Sequence, residues 1–210
     1  MLPIRNVKGG KWIMKKRNNL FRLMVTLFAM LSFFGIVITG FSQEAGTFKD
    51  PRDGKVYKTV KIGNQTWFAE NLAYKPKKGN YFVYMNDQSN AIKYGYLYDW
   101  ETAKKVVPVG WHLPTKIEWD TLYNYLGADD QKVFTAIIEG GSSGFNALFG
   151  GFYLTHGAFS YPAGSVASFW SSTTNDAAKI WSFCCYAGSS NAKFNDFTPD
   201  CGLSVRLIQD

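Results

Sequence analysis

The sequence predicts an α+β domain over residues 55–210, and three stretches carry that prediction. Val56 to Ile62 alternates apolar with polar residues, Gly63-Asn64 is a two-residue turn pair, and Gln65 to Leu72 resumes with Thr66, Trp67 and Phe68, which together read as a β-hairpin. Between Tyr98 and Gly140 apolar residues recur at helical spacing behind capping residues. Beyond Gly140 the glycines Gly141, Gly144, Gly150, Gly151, Gly157 and Gly164 interrupt aromatic pieces that have no helical period, so this half reads as strands and loops. A hairpin, then helices, then an antiparallel sheet is an α+β plan.

Ahead of the domain, Leu23 to Phe41 is a run of 19 uncharged residues behind the basic cluster Lys15, Lys16, Arg17 and Arg22. That order is the n-region and h-region of a secretory signal peptide. Gly40 and Ser42 put small residues at −3 and −1 of a cut between Ser42 and Gln43. Residues 1–42 are therefore expected to direct export and to be removed, with Met14 as a second candidate start. An uncleaved anchor is the alternative, because the run approaches the roughly 20 residues that cross a bilayer core. In that case the membrane is met only through this segment, its basic flank staying inside. In both cases the folded part faces outward, in the secreted fraction or the cell envelope. Residues 43–54 are polar, contain Gly and Pro, and read as a short tether.

Within the domain, Lys75 to Asn80 and Asn86 to Asn90 read as loops, and the aromatic stretch Tyr81 to Tyr84 is too short to classify. Tyr98 to Val106 suits a short helix presenting Trp100, Ala103 and Val107 on one side, stopped by Pro108 and Gly110. Thr115 and Glu118 form a capping box, after which Trp119, Leu122, Tyr123 and Leu126 recur at helical spacing until Gly127. Asp129 or Asp130 can cap a third helix with Val133, Phe134, Ile137 and Ile138 inward. Candidate strands are Phe149 to Leu154, Ser168 to Ser172, Ile180 to Tyr186, Lys193 to Phe197 and Leu203 to Ile208.

The formal charge of +7 first suggests nucleic acid, but seven of the 23 basic residues lie in residues 1–42, which hold no acid. The 16 that remain balance the 16 acidic residues, so the domain lacks the field of a phosphate-backbone binder. Catalytic patterns are thin. His112 and His156 are the two histidines, no nucleophile elbow or P-loop occurs, and His112 reads as a positioned structural residue, not a general base. No cofactor is implied. Six of the seven tryptophans follow residue 43, and most must serve the core. Tyr153, Phe159, Tyr161 and Trp170 lie among glycines, where loops can expose rings as a sugar- or protein-binding platform.

Tyr94 to Trp100, then Pro108 to Thr115 with Glu118-Trp119, then Gly144 to Leu148 with Gly150-Gly151, then Trp170 to Thr173, and finally Ser204-Val205-Arg206 resemble, in order, the Fibrobacter succinogenes major paralogous domain family. The signature positions are Trp100, Trp111, Pro114, Thr115, Glu118, Trp119, Trp170 and Arg206. The resemblance implies a relative of the C-type-lectin-like and formylglycine-generating-enzyme folds, with helices on twisted antiparallel strands and the terminal strands paired. It implies no activity; the family is a repeatedly duplicated exported or surface-exposed bacterial domain. Members often carry Cys where this chain has Val107 and Leu207, so an apolar contact is expected in the space of a bridge.

Cys184, Cys185 and Cys201 are the three cysteines. Neighbours in a strand face opposite ways, so Cys184 and Cys185 cannot both reach Cys201 or jointly serve as a paired-thiol oxidase site. Export permits a Cys185–Cys201 bridge, stabilising by about 3 kcal/mol; three reduced buried thiols are the alternative. Phe194-Asn195-Asp196 before Cys201 also looks like a lectin calcium motif, but the upstream partner motif is absent, which favours a turn in which the Asn195 and Asp196 side chains bond local backbone. The expectation is a non-catalytic binding or structural module for an extracellular glycan or protein. The alternatives are a formylglycine-generating-type enzyme and a membrane-anchored structural subunit.

Overall fold

The computed structural model describes residues 44–155, 157–160, 164–176 and 178–210. The signal peptide, the Met14 start and the Ser42–Gln43 cut lie outside the described residues, as do His156 and Tyr161.

The domain is α+β, with four α-helices and antiparallel sheets among the described residues. Strand β1 (Ala45–Lys49) pairs with β2 (Val56–Ile62), which turns at Gly63-Asn64 into β3 (Gln65–Phe68). Short β4 (Tyr81–Phe82) precedes α1 (Gln88–Tyr94), β5 (Leu97–Tyr98), α2 (Trp100–Lys105) and β6 (Trp111–His112). Helices α3 (Lys116–Tyr125) and α4 (Asp130–Ile137) follow. The chain ends through the hairpin β7 (Phe152–Leu154) and β8 (Ala158–Ser160), the meander β9 (Val166–Thr174), β10 (Ile180–Tyr186) and β11 (Asn191–Phe197), and β12 (Ile208–Gln209). One sheet has the order β1-β2-β3-β12-β6, so the last strand lies between the N-terminal hairpin and β6, with Ile208 opposite both Trp67 and His112. The other large sheet is β11-β10-β9.

Two apolar clusters flank this second sheet, and strand alternation sorts side chains between them. Ala167, Phe169, Phe183 and Cys185 join Trp119, Leu122, Val133, Phe134 and Ile137 of α3 and α4 in the first. Val166, Trp170 and Ile180 face the second, with Tyr57, Phe68, Tyr98, Trp111, Leu203, Val205 and Leu207. Trp67 and Phe68, adjacent in β3, divide the same way. Trp67, Trp119 and Trp170 are fully buried. Removing a tryptophan's roughly 150–250 Å² from water favours folding by about 4–6 kcal/mol before entropy is counted. The first cluster is nearly a continuous ring stack, with Trp119 lying 4.8 Å from Trp67 and 5.0 Å from Phe183 between ring centroids.

The helices follow their caps. Asp99 accepts from the Thr102 amide, Thr115 and Glu118 complete the capping box, and Asp129, not Asp130, caps α4 through the Lys132 amide. Leu207 is buried in the second cluster, and Val107 is partly buried against it.

Several expectations need correction. Residues 43–54 are not a tether: 45–49 form an edge strand, Phe48 packs at 5.4 Å from Trp111, and buried Asp50 accepts from Arg52 Nε and Nη2 while Arg52 Nη1 donates to the Val106 carbonyl. Residues 86–90 are not all loop, because Asp87 caps α1 through the Ser89 amide. Phe149 to Leu154 is strand only from Phe152. Leu203 to Ile208 is a ladder strand only at its end. Every residue from Cys201 to Ile208 is buried, and the segment bonds alternately to different neighbours: Leu203 to Tyr98, the Ser204 carbonyl to the Trp170 amide, Val205 to Leu72 and Leu207 to Phe68.

The Cys185–Cys201 bridge is not formed; all three thiols are free and buried. Cys185 faces the first cluster and Cys201 lies in the second, where its sulfur is 3.4 Å from the Thr198 hydroxyl. Cys184 does point away from Cys185, donating to the Ser168 hydroxyl at 3.3 Å.

Candidate functional site

Three side-chain clusters among the described residues are the candidates for function. The first is built by the turn from β6 into α3. Glu118 uses one carboxylate oxygen for the capping box, accepting from the Thr115 amide at 2.7 Å and the Thr115 hydroxyl at 2.8 Å. Its other oxygen lies 2.8 Å from His112 Nε2, and His112 Nδ1 lies 2.7 Å from Asp210 Oδ1. Partial burial pulls the imidazole toward neutrality, but the two carboxylates outweigh it and raise its pKa. Glu118 shows the converse: burial raises it, while its Thr115 and His112 bonds bring it below the ordinary carboxylate range. His112 is thus a clasp joining β6, α3 and Asp210. Asp210 also donates its amide to the Gly110 carbonyl. A group with both ring nitrogens occupied by carboxylates is badly placed to act as a base.

Arg206 makes the second cluster. It is fully buried, and among the described residues its hydrogen bonds go to neutral acceptors: Nε donates to Asn71 Oδ1 at 2.7 Å, Nη1 to the Phe68 carbonyl at 3.0 Å and to the Phe145 carbonyl, and Nη2 to the Asn146 carbonyl at 2.5 Å. Its guanidinium carbon lies 4.5 Å from the centroid of the Phe145 ring. Burial brings the group down to about 9, so it keeps its proton at neutral pH. Asn71 is held in turn by donating to the Tyr94 carbonyl and the Ser204 hydroxyl. Arg206 therefore ties the end of β3 to the loop after α4.

The third cluster is aromatic and lies at the surface. Phe82 of β4 stacks on Tyr153 of β7 with centroids 3.8 Å apart and planes 14° apart. Phe159 of β8 meets Tyr153 edge-on at 5.3 Å and Tyr84 at 5.4 Å. Phe82, Tyr153 and Phe159 are each half-buried. Gly202 makes the stack possible, because a Cβ there would lie 2.6 Å from the Phe82 ring and 3.1 Å from Tyr153 Cβ. Directly after Tyr84, Met85 and Asn86 both take left-handed backbone, with φ of 54° and 56°, and Met85 is exposed. Consecutive non-glycine residues in that region carry strain of about 1–3 kcal/mol each.

The remaining predicted positions are structural in their contacts. Trp100 is half-buried and donates its indole N–H to the Ser171 carbonyl; Trp111 packs edge-on against Phe68 at 4.5 Å. The Pro114 carbonyl accepts from the Ser172 amide. Trp119 donates to the Trp170 carbonyl, and Trp170 donates to the Tyr98 carbonyl. Trp170 is thus core, not an exposed platform ring, since its indole is spent crossing to β5. Asn195 and Asp196 lie within β11, not in a turn. Asp196 accepts from Lys179 at 2.7 Å and Asn175 at 2.9 Å, and Asn195 Oδ1 accepts the Asp196 amide. Sequence reasoning missed the Asp210 partner of His112 and the Phe82 partner of Tyr153. Each lies far along the chain, and no local pattern announces either.

Compared with known proteins, residues 60–209 match the family model described as the Fibrobacter succinogenes major domain. No curated protein and no solved structure matches the chain.

Proposed function

Because the chain belongs to the Fibrobacter succinogenes major domain family, we propose that it is an exported, non-catalytic binding or structural module of the bacterial cell surface or secreted fraction, with an extracellular glycan or a partner protein as its ligand. The observation that carries this reading is the Phe82–Tyr153–Phe159 cluster, three half-buried rings on short strands beside the strained Met85-Asn86 pair. Aromatic rings held by a scaffold supply contact area at low entropic cost, and strained backbone gathers where ligands are gripped. The cysteines support a non-catalytic role. Burial pushes all three thiols up, keeping them protonated, whereas thiol chemistry needs an accessible thiolate. The basic cluster before the uncharged Leu23–Phe41 run supports export. The placement of β12 in the same sheet as the N-terminal hairpin supports the C-type-lectin-like variant of the α+β class.

Glycan and peptide arrays probed with the full chain test the binding role. Binding should fall about tenfold or more in Tyr153→Ala and Phe159→Ala, as loss of an anchoring ring predicts; an array blank for the parent protein, or unchanged by both substitutions, overturns it. N-terminal sequencing from cell fractions tests export. A mature protein beginning at Gln43 outside the cytoplasm is expected, and an intact N-terminus in the cytosol rules export out.

A further inference from the structure

A shallow cleft of about 360 Å³ opens between α2, β6 and β9, on residues separate from the aromatic cluster. Val107, Leu113 and Trp111 supply its apolar lining, and Lys104, His112 and Ser172 its polar groups. The volume falls at the small end of ligand sites and accommodates one six-membered ring with its substituents.

Charge decides what kind of ring. Lys104 is bonded to Glu101 at 2.8 Å, and His112 is held between Glu118 and Asp210, so each cation at the cleft already has a carboxylate partner. A phosphate or carboxylate ligand would meet the repulsion of those carboxylates whether or not it displaced them. A divalent cation fares no better. The two carboxylates bind opposite nitrogens of one imidazole ring and cannot converge on a single point, and no metal-binding group of His, Cys, Asp or Glu occurs among the described residues. A neutral ligand with several hydroxyls meets no such repulsion, accepting from the remaining ammonium hydrogens of Lys104 and bonding the Ser172 hydroxyl, while its C–H face lies on the apolar lining.

We propose that this cleft is a second binding site, for a single neutral pyranose ring. The ring lies on Val107 and Trp111, with Lys104 and Ser172 bonding its hydroxyls.

Saturation-transfer NMR on the full chain, with methyl glucoside, methyl mannoside, methyl galactoside and methyl xyloside as probes and glucuronate and inorganic phosphate as anionic controls, tests the proposal. At least one neutral glycoside should bind and the anions should not. Ser172→Trp, which fills the cleft, should weaken that binding by about tenfold or more, and Lys104→Met should weaken it in the same direction. Circular dichroism identifies any variant that fails to fold, in which case the other decides. Ile92→Ala, an exposed residue outside both the cleft lining and the aromatic cluster, should leave glycoside binding intact. Absence of binding by all four glycosides, preference for an anion, or binding undiminished in the folded variants overturns the proposal whatever the arrays report for the aromatic cluster.

Discussion

The two sides of the β9–β11 sheet are closed by different physics. On the side of α3 and α4, the cluster around Trp119 is sealed by rings and aliphatic side chains from helices that carry their own caps. On the other side, the cluster around Trp170 is assembled from short strands and loops, and polar side chains collect its backbone groups: the Tyr98 hydroxyl on the Tyr74 carbonyl, and Arg52, paired with Asp50, on the Val106 carbonyl. Arg206 does the same for the loop after α4, its guanidinium lying against Phe145 and Phe169 of the first cluster. Helices satisfy their own amides and carbonyls, so they need only apolar cover. Loops do not, so burying them calls for side-chain donors and acceptors from elsewhere in the chain.

Three substitutions probe this contrast. The largest effect is expected from Trp119→Ala, which opens a cavity beneath both helices and should cost about 4–5 kcal/mol in chemical denaturation. A cost below about 2 kcal/mol would mean that the helical side collapses onto the gap and is less tightly packed than its ring geometry indicates. Arg206→Met comes next. It keeps side-chain bulk but strips the donors from three backbone carbonyls and Asn71, for an expected loss of about 2–4 kcal/mol. If Arg206→Met proved neutral, desolvation of the guanidinium would offset its bonds, and the buried loop after α4 would need no polar closure.

The smallest effect belongs to the His112 clasp, whose partly exposed groups limit it to about 1 kcal/mol or less. The two shifts act in opposite senses. His112 has a raised pKa, so its stabilisation is complete below the ordinary imidazole range and is lost as pH rises through the raised value. Glu118 has a lowered pKa, so its stabilisation holds above the ordinary carboxylate range and is lost as pH falls through the lowered value. The clasp therefore contributes most between those two ordinary ranges. Denaturant titrations across pH should show that window in the parent protein and a flatter profile in His112→Gln; superimposable profiles would show that the clasp contributes no pH dependence.

Legibility divided along the same line. The capping box at Thr115 and Glu118, the inward faces of α3 and α4, the turn at Gly63-Asn64 and the Ile180–Tyr186 strand are all written in residues near one another, and the structure contains each of them. Strand β1 was hidden because its partner is supplied by β2, and its own polar composition resembles a linker. Helix α1 was hidden by a short, Asn-rich sequence whose start rests on a single Asp87 cap. Among the candidate sites, Tyr153 and Phe159 stood out by their glycine surroundings, whereas Phe82 did not, because a stack between β4 and β7 leaves no mark in either segment.

By itself, then, the sequence determined the local elements, the opposite facing of Cys184 and Cys185, and the neutrality of the domain, since each follows from neighbouring residues or from simple addition of charge. Tertiary structure alone decided that Cys185 and Cys201 lie in different cores, that His112 is gripped by the final residue, and that a buried arginine meets carbonyls instead of an acid. The physical reason is separation: these contacts join positions dozens of residues apart, and their partners are chosen by which surfaces the whole chain buries together.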